Sequence, residues 1–250
     1  MKKKKFSALS IIIIALIILG MSFWGSQPRH VTESGIAEDG TAYTFSGYAR
    51  RGVWHGTGRI EWDCGRWYEG DWLNGNRTGR GVEFGINDDG TTWVYTGEFL
   101  DGYVHGTGRV EWDDGGWYEG DLLHGDRTGH GTEFGFNYDG STWIYAGEFL
   151  DGDMHGTGRI EWDDGTWYEG DWLHGYMHGT GRIQWDDGGW YEGDWRYGSR
   201  TGHGTEFGIL DDGTTWIYVG EFFDGYFHGY GRLEYDCGAV YEGLFSFGEI

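Results

Sequence analysis

The feature that most limits what this chain can become is a period of 23 residues. From Phe45 onward the sequence tiles without a residue left over. Copies of YxGDWLxGxxHGTGRIEWDDGxW run over 45–67, 95–117, 145–167, 168–190 and 218–240, and a 27-residue form fills 68–94, 118–144 and 191–217. A last fragment, YEGLFSFGEI, starts at Tyr241. Self-similarity at this spacing marks an array of stacked supersecondary units, each too short to bury a core alone. It also changes how the acidic clusters read. The stretch from Trp167 to Asp194 is crowded with Asp, Glu and His and would, standing once, suggest a metal-assisted hydrolase; repeated along the chain, it is framework.

Turn chemistry gives each unit the shape of a β-hairpin. In Asp163-Asp164-Gly165-Thr166 an Asp-Gly pair separates two strand-like arms, GRIEW and WYEGDW, and Asp-Gly is a strong signal for a two-residue type I′ turn. A turn centred on Asp164-Gly165 sets Trp162 opposite Trp167 on one face, Tyr168 opposite Glu161, and Gly170 opposite Arg159. In the long units each arm gains two residues: Gly58 to Gly65 is seven positions and Gly81 to Gly90 is nine, while Gly65 to Tyr68 is three and Gly90 to Tyr95 is five. An even insertion keeps the two-residue alternation intact. The long hairpins therefore extend roughly 7 Å further, at about 3.3 Å per residue.

The motif Y-x-G-x-(W/F)-x-x-G-x-x-H-G-x-G, followed by an aromatic, Asp-Gly and Tyr, resembles the MORN repeat (membrane occupation and recognition nexus). Tyr145, Gly147, Phe149, Gly152, His155, Gly156, Gly158, Trp162, Asp164 and Gly165 match it position by position. The departures are Thr78, Thr128 and Thr201, which replace the His in the long units, and Phe45 in place of the first Tyr. The resemblance implies an all-β fold: an elongated single-layer antiparallel sheet, or solenoid, of successive β-hairpins, here eight full units and a partial one over 45–250. At roughly 4.8 Å per strand, eight units give a ribbon on the order of 75 Å. It also implies protein interaction and, often, association with membranes or phosphoinositides.

Charge and the N-terminus place the array. All four lysines are Lys2–Lys5; removing them from the 18 Lys and Arg leaves 14 Arg against 41 acids, a body at −27. Such a body repels nucleic acid and anionic lipid, so no nucleic-acid partner is expected and phosphoinositide binding fits poorly. After the basic residues 1–5, Phe6 to Trp24 carries no charge, and as a helix would span roughly 28 Å, about one bilayer core. This reads as a single transmembrane signal anchor, with a cleaved signal peptide and secretion as the alternative. The lysines then stay cytoplasmic and the array lies on the far side. Residues 25–44, with the only proline, Pro28, read as a polar linker.

Four sets of residues are candidates for chemistry. His55, His105, His155, His178 and His228 recur at one position; neighbouring units hold them about 10 Å apart by strand spacing, too far for a shared ion, so they are expected to bond backbone at inter-hairpin turns, with His130 and His203 incidental. The paired acids beginning at Asp113, Asp163, Asp186 and Asp211 are turn formers. Arg59/Glu61, Arg109/Glu111, Arg159/Glu161 and Arg232/Glu234, with Arg182/Gln184 as the exception, form a charged face that is either merely solvated or a recognition surface. The aromatic residues Trp62, Trp67, Trp112, Trp117, Trp162, Trp167, Trp185 and Trp190 replace a core and are the candidate binding face.

No nucleophile–base pair or cofactor loop is visible, so no cofactor, metal or catalytic residue is assigned, and the chain is expected not to be an enzyme. It is expected to be a membrane-anchored scaffold with an unknown protein partner; the alternative is an extracytoplasmic module that binds carbohydrate or cell envelope through its Trp/Tyr face. Self-association is an open possibility through Cys64 and Cys237, which occupy the same turn position, or through the ribbon ends.

Overall fold

The computed structural model describes residues 27–249, and the expected anchor at 6–24 lies outside them. The described residues form eighteen strands and no helix. No helix among them is long and apolar enough to cross a membrane. The chain divides into two compact units, up to Val104 and from His105. In the first, β1 (Arg29–Ile36), β2 (Ala42–Arg50), β3 (Val53–Trp62), β4 (Trp67–Leu73), β5 (Asn76–Ile86) and β6 (Thr92–Leu100) pair antiparallel in chain order. The division falls within β7 (Tyr103–Trp112). In the second unit the same meander runs through β8 (Trp117–Leu123), β9 (Asp126–Phe136), β10 (Thr142–Leu150), β11 (Asp153–Trp162), β12 (Trp167–Leu173), β13 (Tyr176–Gln184), β14 (Trp190–Arg196), β15 (Ser199–Ile209), β16 (Thr215–Phe223), β17 (Tyr226–Tyr235) and β18 (Val240–Phe245).

Two kinds of turn alternate along the meander, and the sequence reading assigned one of them wrongly. The Asp-Asp-Gly tip is not type I′. Gly165 N–H donates to Trp162 O at 3.0 Å and Trp162 N–H to Thr166 O at 2.8 Å, and only Gly165 of this turn is left-handed, at φ +90°. That is a three-residue loop, a type I turn closed by a left-handed glycine. The type I′ pairs sit at the opposite edge, as in Asp151-Gly152 (φ 50° and 89°) between paired Leu150 and Asp153. The extra loop residue shifts the expected register by one: Trp167 pairs with Glu161, Tyr168 with Ile160, Glu169 with Arg159, and Gly170 with Gly158. A one-residue shift turns every side chain to the other face.

Residues 25–44 also differ from expectation. From Arg29 they form β1 and the start of β2, joined by the same turn, with Ala37 N–H donating to Thr41 O and Gly40 N–H to Ala37 O. The alternation in the long hairpins holds as expected: β5 and β6 pair as far as Ile86–Thr92 with no slip beyond Gly81–Gly97.

One face of the sheet holds the core. Tyr68 and Tyr95 in the first unit, and Tyr118, Tyr145, Tyr168, Tyr191 and Tyr218 in the second, are at most 1% exposed. Each ring lies over a pair of facing glycines. A Cβ on Gly170 would stand 2.6 Å from the Tyr168 hydroxyl and one on Gly181 2.3 Å from it, so no other residue fits beneath the ring. The hydroxyl donates to Asp171 O at 3.0 Å, which satisfies its buried polar end. Edge-on contacts at 5.2–5.3 Å to Trp172 and Trp195 carry the stack to the next hairpin, a geometry worth about 0.5–1.5 kcal/mol beyond area burial.

Candidate interaction surface

The corrected register divides the eight candidate tryptophans between the two faces. Trp62, Trp112 and Trp162 share strand parity with Ile60, Val110 and Ile160, which pair with the core tyrosines Tyr68, Tyr118 and Tyr168. Trp185, just past the end of β13, follows Ile183 by the same two residues. Trp67, Trp117, Trp167 and Trp190 stand on the opposite, polar face, and there the repeated arginines cover them. The guanidinium carbons of Arg59, Arg109 and Arg159 lie 4.1 Å above the indoles of Trp67, Trp117 and Trp167, and that of Arg182 lies 4.3 Å above Trp190. All eight indoles are half-buried.

The same arginines build a row of alternating charge across the strands of the second unit: Ala146, Arg159, Glu169, Arg182, Glu192, Thr205 and Val219 face one another in sequence. Arg159 reaches Glu169 at 3.4 Å and Glu161 at 3.5 Å, and Arg182 reaches Glu192 at 3.1 Å. These are the expected Arg-x-Glu pairs, but the cross-strand partner is as important as the one two residues on. At Arg182 the neighbour two residues on is Gln184, which leaves only the Glu192 pair.

A second row lies on the other side of the glycines. Glu148, Asp171, Asp194 and Glu221 each face a Thr or His on a paired strand. Their carboxylates have a local task. At each repeat the strand carries a bulge, such as that at Gly170/Asp171 with Gly179 at φ +56°, and the acid accepts the N–H the bulge leaves unpaired. Asp171 accepts from Thr180 N–H at 2.8 Å and Glu148 from Thr157 N–H at 3.0 Å. The Thr157 hydroxyl and N–H hold Glu148 below the usual carboxylate range.

Between the two rows runs a trough of about 1240 Å³, wholly within the second unit, lined from His130 to Val219. Its floor is the backbone of facing glycine pairs Gly147/Gly158, Gly170/Gly181 and Gly193/Gly204, with Tyr145, Tyr168 and Tyr191 packed beneath. Sequence reasoning did not find this trough. Its signal is present, however, in the glycine shared by every YxG and the last glycine of every HGTG.

The other candidates resolve into framework. In the turns, Asp164 accepts from Thr166 N–H at 2.7 Å and Asp163 from Thr142 N–H at 2.8 Å, as turn formers do. The repeated histidines lie on strands rather than in loops, His155 opposite Glu148. His178 accepts from Tyr197 N–H of a type I′ turn at 3.4 Å, the expected kind of bond, whereas Nδ1 of His105, His155 and His228 is buried without a hydrogen-bond partner. Their rings pack on His124, His174 and Phe247. His130 and His203, expected to be incidental, line the trough. Cys64 and Cys237 are unpaired and exposed at turn tips. Among the described residues no group of His, Cys, Asp and Glu is arranged to hold a metal ion.

A buried charge on the core face was also missed. In the long units Arg77, Arg127 and Arg200 pair with Glu83, Glu133 and Glu206. Arg127 and Arg200 also donate to the carbonyls of Gly152 and Gly225 in the next type I′ turns, at 2.5 and 2.6 Å. Burial raises Glu133 and Glu206 above the usual carboxylate value, with the arginines opposing the shift.

Compared with known families, the chain matches the MORN repeat over residues 68–89, 95–117, 145–167, 168–190, 191–208 and 218–236, together just over half its length. No curated protein matches it.

Proposed function

This chain belongs to the MORN repeat family, and from that premise we propose that it is a non-catalytic scaffold, tethered to a membrane through residues 6–24, whose array binds a protein partner on the polar face. A repeat-based binding role follows from the family. The trough is the observation that directs the role to one surface: a groove floored by glycine backbone and walled by charged side chains is concave, polar and rigidly held. Its carboxylates accept backbone N–H groups or pair with arginine, an arrangement suited to recognition rather than to proton transfer. The carbohydrate alternative is weaker, because sugar stacking needs an open indole face and arginine covers Trp67, Trp117, Trp167 and Trp190 on this side.

The test is fractionation followed by cross-linking. The full chain should remain with membranes after a high-salt, high-pH wash, and residues 25–250 should not. Cross-linking from positions along the trough should then capture a protein. Recovery of lipid alone, or of glycan retained by Trp162→Ala and lost by Trp167→Ala, would refute the reading.

A further inference from the structure

We propose that the trough of the second unit takes a single extended segment of a partner protein carrying regularly spaced Lys or Arg. This rests on the scaffold reading above and names the chemistry of the partner. Three observations carry it.

The first is shape. The trough's lining crosses eight strands, from His130 on β9 to Val219 on β16, seven steps that at about 4.8 Å each make it roughly 34 Å long. The walls rise from residues two apart on each strand, such as Glu169 and Asp171 about Gly170, so they stand about 7 Å apart. One extended chain fits; a helix of about 10–12 Å diameter does not.

Charge is the second. Along the wall formed by Arg159, Glu169, Arg182 and Glu192, opposite charges are paired in the free protein. On the other wall Asp171 and Asp194 accept only neutral N–H and O–H groups and face no cation. The trough therefore has a net negative charge, within a body that is itself strongly acidic. The summed field draws in a basic segment and repels an acidic one.

The third is spacing. Asp171 and Asp194 occupy equivalent places one 23-residue unit apart, two strands or about 9.6 Å along the trough. That matches the roughly 9.3 Å between every third residue of a polyproline II segment. Lys or Arg at that interval would meet both acids at once.

The probe is a synthetic peptide of about nine residues with Lys at every third position, separated by Pro and Thr, and the protein is the full chain in detergent. Fluorescence anisotropy at low salt should show saturable one-to-one binding that weakens as salt rises. Asp171→Asn/Asp194→Asn keeps the oxygen that accepts the bulge N–H and removes both charges, and should weaken binding at least about tenfold, a loss of roughly 1.4 kcal/mol. Asp186→Asn/Asp211→Asn removes the same charge from exposed turn tips and should leave affinity within about twofold, under roughly 0.5 kcal/mol. Equal loss in the two double variants would reduce the effect to the general acidic field and overturn the proposal. So would equal binding of a Glu-substituted peptide, or no binding at all. A native partner still captured by Asp171→Asn/Asp194→Asn would leave the scaffold reading standing while this one fails.

Discussion

Short and long repeats solve the same packing problem with opposite chemistry. In the short unit at 145–167 the positions beside the core tyrosine are Met154 and Ile160; in the long units at 118–144 and 191–217 the equivalent positions are Arg127 with Glu133 and Arg200 with Glu206. Ile160 is 6% exposed and Glu206 9%, so the charged residue is about as buried as the apolar one. The comparison teaches that the tyrosine-on-glycine stack, common to both, specifies the fold. The neighbouring pair only has to fill space without leaving an unmet charge. Burying an ion pair rarely beats burying an apolar pair of similar volume, whereas breaking one is costly.

The largest expected effect breaks the comparison on one side. Arg200→Ala leaves Glu206 buried without its cation and should destabilise the array by about 3–5 kcal/mol in urea denaturation. Arg200→Met/Glu206→Ile installs the short unit's pair and should be neutral or stabilising, by up to about 4 kcal/mol. A double variant as unstable as the single would show that the long unit requires its charges.

Next come the elements both units share. Gly170→Ala should cost at least about 1–3 kcal/mol, because the new Cβ meets the Tyr168 hydroxyl and the backbone of Thr180 and Gly181 at 2.5–2.6 Å. Gly175→Ala enters open space at φ +79° and should cost only the left-handed strain, about 1–2 kcal/mol. Thermal melts of the two variants would order them; the reverse order would contradict the packing described for the tyrosines.

A smaller effect separates the repeats by pH. Burial raises Glu133 and Glu206 above 4.5, so the folded chain holds these protons to higher pH than the unfolded one. Their contribution to stability is complete below 4.5 and is lost as pH rises through the folded values. At the turn tips, hydrogen bonds from Thr91 and Ser141 lower Asp89 and Asp139 below 3.8, and that contribution is lost as pH falls through the folded values. Urea midpoints should decline on the alkaline side of pH 4.5, and Glu133→Gln/Glu206→Gln should flatten that side alone.

The smallest effect lies on the polar face. Arg159→Ala removes exposed ion pairs and the contact on Trp167, and should cost no more than about 1 kcal/mol. A loss matching that of Arg200→Ala would mean that the two faces are not as different as their burial indicates.

Much of this was legible in the sequence for a physical reason. A repeated hairpin must keep its alternation, so the even insertions in the long units predicted their pairing. The Asp-Asp-Gly register was not legible from turn chemistry, because Asp-Gly serves both a two-residue type I′ turn and a type I turn closed by a left-handed glycine. The strands held the deciding signal, since only one register places Gly158 opposite Gly170 with Ile160 beside Tyr168. That single slip is why the tryptophans looked like one face and the trough went unseen. β1 was hidden by its composition, yet Glu33-Ser34-Gly35-Ile36 and Asp39-Gly40-Thr41 align with Glu83-Phe84-Gly85-Ile86 and Asp89-Gly90-Thr91. The buried Arg–Glu pairs became visible only once the strands were in place, because charged residues in a repeat normally read as surface.

The division of the sheet into a tyrosine face and a trough face rests on that register, and engineered disulfides test it directly. Glu161→Cys/Trp167→Cys places two thiols at facing positions of one hairpin, within the roughly 7 Å Cα limit, and should oxidise readily. Trp162→Cys/Trp167→Cys places them on opposite faces and should remain reduced under the same conditions. Ready oxidation of the second pair and not the first would restore the two-residue turn, return Trp162 and Trp167 to one face, and remove the trough.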